Sequence, residues 1–271
     1  MKYKMIALDI DGTLTNSQKV IPPSTKEALL EIQRLGVKIV LATGRPTAGC
    51  MKLAEELQLS EYGSYILSFN GARITNCQTN GIVYEKILPM EIIPKLYAFA
   101  QENHVGMITY EKETVITGTK IDEYMINEAG INGIPILSVD NFPEYVNFNV
   151  NKCLMTAHPA YLEQIEIKLN EQYGDLLSIY RSEPYFLEIM PQNVDKAMAL
   201  SILLSENKLT KENLIACGDG FNDISMISFA GLGVAMENAR PIVKNAADYL
   251  TSSNDNDGIL HVINKYILDK G

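Results

Sequence analysis

The chain has no tryptophan and only three histidines, His104, His158 and His261, along 271 residues. Imidazoles this few and this scattered do not make a histidine-based zinc centre. Its four cysteines, Cys50, Cys77, Cys153 and Cys217, show no C-x-x-C spacing. They read as free thiols in a reducing compartment, with Cys153 and Cys217 inside apolar, strand-like runs. No apolar run is long enough to span a membrane and no signal peptide is expected, so the expected location is cytoplasmic. Basic residues are also in short supply. Lys and Arg number 23 against 33 Asp and Glu, a net charge of −10, with no basic patch. Nucleic acid and membrane are therefore not expected as partners. There is no internal repeat, coiled coil or low-complexity tract. Hydrophobic residues make up 46%, enough for a real core, and the length permits one large domain or two ordinary ones.

What the chain does have is four short segments in a fixed order: Asp9-Ile10-Asp11-Gly12-Thr13, Thr43-Gly44-Arg45, Lys196, and Gly218-Asp219-Gly220-Phe221-Asn222-Asp223. Three of them directly follow apolar, β-branched runs: Met5–Leu8, Val37–Leu41 and Leu214–Cys217. Each run reads as a buried parallel strand. In an open parallel sheet the loops beyond the carboxyl ends of the strands share one edge, where ligands bind. Residues far apart in sequence are therefore expected to meet in one site of four carboxylates, a hydroxyl, an amide and a lysine. Such a site suits a divalent metal and phosphoryl transfer.

Residues 1–82 read as alternating strand and helix, and the alternation resumes over 189–271. Ser24-Thr25-Lys26-Glu27 has the spacing of a capping box. Ala28, Leu29, Ile32 and Leu35 follow at helical spacing, and Gly36 supplies the stop. Pro46 is expected to open the next helix. Between the flanks, residues 83–188 carry none of the four segments. Met107–Tyr110 and Thr114–Thr117 read as strands paired around Glu111-Lys112-Glu113. Pro159 starts a helix with Leu162, Ile165 and Leu169 inward. This texture is α+β, so 83–188 reads as a second domain inserted into a doubly wound, mostly parallel α/β core.

Asp9 and Asp11 stand two apart at a strand end, so extended backbone would point both the same way. Two carboxylates about 4 Å apart repel by about 4 kcal/mol at an effective dielectric of 20. Adding Asp219 and Asp223 makes the site untenable without a cation. Mg2+ fits best: it takes oxygen ligands, keeps waters and is shared with phosphate. Gly12 would let backbone N–H groups approach a phosphate. Thr43-Gly44 ahead of a helix would offer unpaired N–H groups to an anion, or Thr43 is a plain cap. A lysine at a helix start, as Lys196 is expected to be, opposes the helix dipole and so implies a third party such as phosphate plus Asp9. A turn at Asp9–Gly12, a solvated Lys196, and an Asx-turn with helix cap at Asp219 and Asp223 are the structural alternatives. Asn254-Asp255-Asn256-Asp257-Gly258 mimics a calcium loop, but lacks the carboxylates an EF-hand needs at Ser253 and Asn264, and reads as a polar loop.

The four segments, with Asn70-Gly71, Phe186–Pro191 and Gly233–Ala239, resemble the haloacid dehalogenase superfamily, closest to its Cof-type branch of sugar-phosphate phosphatases, over nearly the whole chain. The resemblance implies a Rossmann-like core and makes 83–188 a cap domain that chooses the substrate. It implies a Mg2+-dependent phosphatase of small phosphorylated metabolites. It assigns Asp9 as the nucleophile that forms an aspartyl-phosphate, and Asp11 as the acid and base, which calls for a raised pKa on Asp11 and a low one on Asp9. It places Thr43, Gly44, Arg45, Asn70 and Lys196 on the substrate phosphate, with Arg45 open to pairing with a carboxylate instead. Asp9, Asp11 and Asp219 fall on the metal; Asn222 and Asp223 fall on the metal, beside it or on phosphate. A small phosphate ester is then the partner, and the protein a monomer or small homo-oligomer. A phosphomutase would share all four segments. A phospho-receiver domain would share the acids, threonine and lysine, but not the first-strand nucleophile or the large insertion.

Overall fold

The computed structural model describes residues 2–270. The chain opens with β1 (Met5–Leu8), α1 (Pro23–Arg34), β2 (Lys38–Ala42), α2 (Met51–Glu56), β3 (Tyr65–Ser68), β4 (Arg73–Asn76) and β5 (Ile82–Glu85). It continues through α3 (Ile93–Glu102), β6 (Gly106–Glu111), β7 (Thr114–Thr117), α4 (Glu123–Asn132), β8 (Ile136–Ser138), α5 (Phe142–Tyr145), β9 (Cys153–Thr156), α6 (Pro159–Tyr173), β10 (Leu177–Glu183) and β11 (Phe186–Pro191). It closes with α7 (Lys196–Glu206), β12 (Leu214–Gly218), α8 (Ile224–Phe229), β13 (Leu232–Ala235), α9 (Pro241–Asn245), β14 (Tyr249–Leu250) and α10 (Gly258–Tyr266).

Two compact units result, Met1–Tyr84 with Asp195–Gly271, and Glu85–Val194. The divisions expected from sequence fall at 82/83 and 188/189. The later second division follows from β11, which pairs with β9 through Ile189 and with β10 through Pro191 and so stays with the inserted unit.

The first unit holds an eight-stranded sheet in the order β14-β13-β12-β1-β2-β3-β4-β5. From β14 to β3 every pairing is parallel; β4 returns antiparallel to β3. The apolar runs Met5–Leu8 and Leu214–Gly218 are buried along their whole length, as strands covered on both faces require. Chain order runs outward from β1 in both directions, through β2 and β3 on one side and β12 to β14 on the other. The β1/β12 boundary is thus the switch point where a parallel sheet opens a crevice at its carboxyl edge.

Helix α1 buries Ala28, Leu29 and Ile32 as expected, but Leu35, expected on the same face, caps the helix end and is 54% exposed. It ends as expected: Gly36 adopts φ +89°, with Gly36 N–H donating to Gln33 O and Val37 N–H to Ile32 O, a Schellman close. Its start differs from the expected capping box. The helix begins at Pro23 without a side-chain cap, because the Ser24 hydroxyl instead donates to Asp257 Oδ1 at 2.7 Å. The helix expected at Pro46 begins as a 3-10 turn over Thr47–Cys50, and α2 has only six residues.

The second unit holds a six-stranded sheet, β10-β11-β9-β6-β7-β8, antiparallel except for β7 with β8. Ile93, Leu96, Leu162, Ile165 and Leu169 of α3 and α6 form one apolar cluster with Met107, Cys153, Met155, Leu187 and Ile189 of the strands. This is the α+β texture expected of the insertion.

Candidate active site

At the carboxyl end of β1, Asp9 still belongs to the sheet: its N–H donates to Cys217 O at 3.0 Å. That bond fixes the backbone just where the side chain enters the crevice. Facing it is Lys196, the first residue of α7, wholly buried. Its ammonium donates to Asp9 Oδ1 at 2.7 Å, Asp223 Oδ1 at 2.5 Å and the Ala42 carbonyl at 2.7 Å. An ammonium has three protons, and all three are used. The helix-start lysine thus finds its third party in two carboxylates and a strand-end carbonyl, and the solvated alternative falls away.

Asp223 is also fully buried, and its Oδ2 accepts from the N–H groups of Asp219 at 2.9 Å and Gly220 at 2.8 Å. The turn expected as a structural alternative is present, and the same carboxylate serves the cluster through its other oxygen. Asp219 is half-buried, and its Oδ1 accepts from the Thr13 hydroxyl at 2.7 Å. One carboxylate oxygen each from Asp9, Asp219 and Asp223 lie within 4.8 Å of one another. Three carboxylates against one ammonium leave two negative charges, which is the complement of a divalent cation. Burial, then the neighbouring Asp223, drive the Asp9 carboxyl well above its usual range, against the pull of Lys196. Burial likewise pushes Asp219 up to about 6. Such carboxylates are short of positive charge, and a dication of oxygen preference fits them.

Asp11 is not part of this trio. Its carboxylate takes a two-pronged ion pair from Arg45, Nε to Oδ2 at 2.8 Å and Nη2 to Oδ1 at 2.7 Å, and a third bond from Lys19 Nζ at 2.8 Å. Partial burial pushes its pKa up, but Arg45 and Lys19 together hold it below the usual carboxylate value. The side chains alone thus hold Asp11 low and Asp9 high, whereas the expected order, Asp11 raised and Asp9 low, was for an Asp9 beside a metal. Arg45 takes the second of its two expected roles, pairing with a carboxylate.

Thr43 and Gly44 lie on the loop after β2. With a 3-10 turn three residues further on, no helix N-terminus stands behind them. The Thr43 hydroxyl accepts from the Arg45 N–H at 3.2 Å, and the Thr43 carbonyl accepts from the Asn70 N–H at 2.9 Å. Asn70 sits in the left-handed region at φ 53°, directly after Phe69 at φ 51°, a local strain of the kind found at functional turns. Its Oδ1 accepts from Asn222 Nδ2 at 2.9 Å, so Asn70 and Asn222 meet across 152 positions of sequence.

Four contributors were not singled out from sequence: Thr13, Lys19, Asn238 and the Ala42 carbonyl. Thr13 follows Gly12 in the first segment, and that adjacency was a usable signal. Asn238 donates to Gly12 O at 2.7 Å and its Oδ1 accepts from the Asn254 N–H at 3.1 Å. That ties the polar 254–258 loop to the site edge. Lys19 reaches Asp11 from a turn at φ 60°, and nothing in its sequence neighbourhood signals it. The four cysteines are free, and burial pushes all four thiols up, Cys77 to about 11 and Cys50 and Cys153 to about 12, which disfavours the reactive thiolate.

These features define a phosphoryl-transfer site on a doubly wound sheet, and comparison with known proteins agrees. The sequence matches the haloacid dehalogenase-like hydrolases over residues 6–263, and the chain belongs to that family. It is 32% identical to the 5-amino-6-(5-phospho-D-ribitylamino)uracil phosphatase YcsE of Bacillus subtilis, covering 98% of this chain and 96% of that one. A crystal structure of a haloacid dehalogenase-like hydrolase from Bacteroides thetaiotaomicron superposes with a TM-score of 0.95 at 45% identity, covering 97% of this chain and 99% of that one. The subclass IIB sugar phosphatase BT4131 superposes with a TM-score of 0.80 at 28% identity, over 97% and 98% of the two chains. The chain is a hydrolase of the phosphatase type.

Gly12 gives the first test of the site. It holds φ +80°, and a Cβ there would come within 2.5 Å of Asp219 Oδ2. Gly12→Ala is therefore expected to cost about 1–3 kcal/mol of stability through backbone strain alone. Displacement of Asp219 should lower phosphatase kcat/KM by at least about tenfold. Thermal unfolding and steady-state kinetics check both; wild-type values would show that the close approach is not needed.

Proposed function

We propose that the protein is a magnesium-dependent phosphatase of small phosphorylated metabolites, of the sugar-phosphate type, working through an aspartyl-phosphate on Asp9. The single observation that carries this is the convergence of Asp9, Asp219 and Asp223 on the fully buried Lys196 at the switch point.

Asp9 is the nucleophile. A carboxylate attacks phosphorus without a base to activate it, provided it is ionised. Lys196 favours that form and holds the carboxylate by Oδ1, leaving Oδ2 to attack. Asp9, Asp219 and Asp223 would hold Mg2+, with Asn222 beside them. Bound there, it would favour ionised carboxylates and offset the charge of the phosphate oxygens. Asp11 is the acid and base for the leaving alcohol and the attacking water. Arg45 and Lys19 hold Asp11 ionised while they pair with it, so Asp11 gives a proton to the leaving alcohol only once it has left that grip and been protonated, and, ionised again, takes the proton of the attacking water. The leaving oxygen and Arg45 therefore compete for the same carboxylate. Thr43, Gly44 and Asn70 form the loop that receives the phosphate, with Gly12 allowing close approach.

The inserted unit, Glu85–Val194, supplies the choice of substrate, since the core groups recognise only the phosphoryl end common to all esters. The relatives named for a sugar phosphate and for a ribitylaminouracil phosphate support a small, polar leaving group. Four free thiols support a cytoplasmic location. No helix among the described residues is long and apolar enough to cross a membrane.

The experiment is phosphate release from a panel of phosphorylated metabolites in metal-stripped protein with added Mg2+, Ca2+ or chelator. Turnover with Mg2+, none in chelator and inhibition by Ca2+ are expected, because calcium takes longer bonds and more ligands and would displace Asp9. Full activity in chelator would refute the metal role. Isomer interconversion without phosphate release would move the reading to a mutase.

A further inference from the structure

The second unit contains a cavity that uses none of the residues of the carboxylate cluster. It measures about 840 Å3 and lies among the end of α3, the start of β6, the loop after β7 and the β9–α6 connection. Small-molecule sites fall in this size range. Register places it at one end of the sheet: Gly106 pairs with Thr156, and Thr156 with Phe186, the first residue of β11. The last residue of β11, Pro191, is at the other end.

The walls are fixed by bonds within the unit. Asp122, the only carboxylate lining the cavity, accepts from the Met125 N–H at 2.8 Å to cap α4 and from the Thr156 hydroxyl at 2.5 Å. Both of its oxygens are occupied. The Tyr161 hydroxyl donates to the Asn103 carbonyl at 2.8 Å, and the Tyr124 ring stacks on Tyr185 at 5.1 Å. Two tyrosine rings and Ile121 give the lining an apolar component, and Ile121 is 40% exposed.

Three nitrogen-bearing side chains at the cavity are unoccupied. His104, Lys120 and His158 line the cavity, and their side chains make no hydrogen bond or ion pair among the described residues. Two of the chain's three histidines and a lysine thus meet in one place on a protein of net charge −10. Glu102 and Glu123 neighbour the site in sequence but do not line it. One lysine ammonium and two imidazoles able to donate N–H bonds, beside aromatic and aliphatic walls, are the complement of an anionic group on an apolar body.

We propose that this cavity is a binding site for a small organic anion, a carboxylate or phosphate group carried on an aromatic or aliphatic body. The three histidines provide the readout. Their ring Cε1–H proton NMR signals, assigned with His104→Gln, His158→Gln and His261→Gln, are followed while the full-length protein is titrated with benzoate and with phenylphosphonate, which the enzyme cannot hydrolyse. His104 and His158 should shift together and saturate, while His261, whose ring bonds Ser252 at 3.0 Å, stays in place. Lys120→Glu, an exposed change that leaves the fold intact, should weaken binding at least about tenfold. Benzylamine, with the same ring and the opposite charge, should leave the two signals unmoved. Shifts that fail to saturate in the millimolar range overturn the proposal. So do equal shifts with benzylamine, or unchanged affinity in Lys120→Glu.

Discussion

Asp9→Asn is expected to abolish phosphate release while the protein stays folded. The amide is a poor nucleophile and a poor metal ligand, so both contributions of the side chain go at once. The backbone that places it does not change, because the Asp9 N–H to Cys217 O bond is a sheet bond independent of the side chain. Stability should be kept or even gain. Asp9 is crowded by two other carboxylates, its own pKa is raised by burial and by Asp223, and an amide relieves that repulsion while Lys196 keeps Asp223 and the Ala42 carbonyl. The check is kcat on the best substrate alongside thermal unfolding in chelator. Retention of more than about a tenth of wild-type kcat, a barrier change under about 1.4 kcal/mol, would remove Asp9 from the role of nucleophile.

The parallel core and the meeting of the four segments were legible because both rest on local patterns. Buried parallel strands need unbroken apolar runs, and each run was followed at once by its polar segment. The inserted unit was legible through strand pairs and the 3.6-residue spacing of Leu162, Ile165 and Leu169. Details that depend on a distant partner were not. The Ser24 cap failed because Asp257, 233 residues away, takes the hydroxyl. Asp11 has the sequence of a fourth cluster carboxylate, but Arg45 and Lys19 draw it aside, and a lysine in a polar turn carries no mark of its target. Lys196 was legible as an anomaly, a cation at a helix start. Its full set of acceptors was not, since the Ala42 carbonyl is any strand's carbonyl until the sheet is built.

That set of acceptors makes Lys196 the most consequential side chain after Asp9. Lys196→Met keeps the length and the burial but removes the charge and three donated bonds. Asp9 and Asp223 are then left buried together, and the Ala42 carbonyl is left without its bond. Breaking a buried pair from one side costs about 3–5 kcal/mol. For a domain of this size that corresponds to a fall in Tm of roughly 10 °C. Loss of activity alone would not separate a catalytic part from a merely structural one, so the deciding measurement is metal affinity. With the ammonium gone, three carboxylates face the cation instead of three less one positive charge, and Mg2+ should bind tighter by calorimetry. Its stabilisation of the variant should exceed that of the wild type, because the dication takes over part of the lysine's duty. Turnover should still fall by at least about a hundredfold, since no metal at the other carboxylates replaces the bond that orients Asp9 Oδ1. A collapsed site would lose Mg2+ affinity together with activity. Weaker Mg2+ binding, or an unchanged Tm with near-normal kcat, would show that the lysine is not the counter-charge around which this site is built.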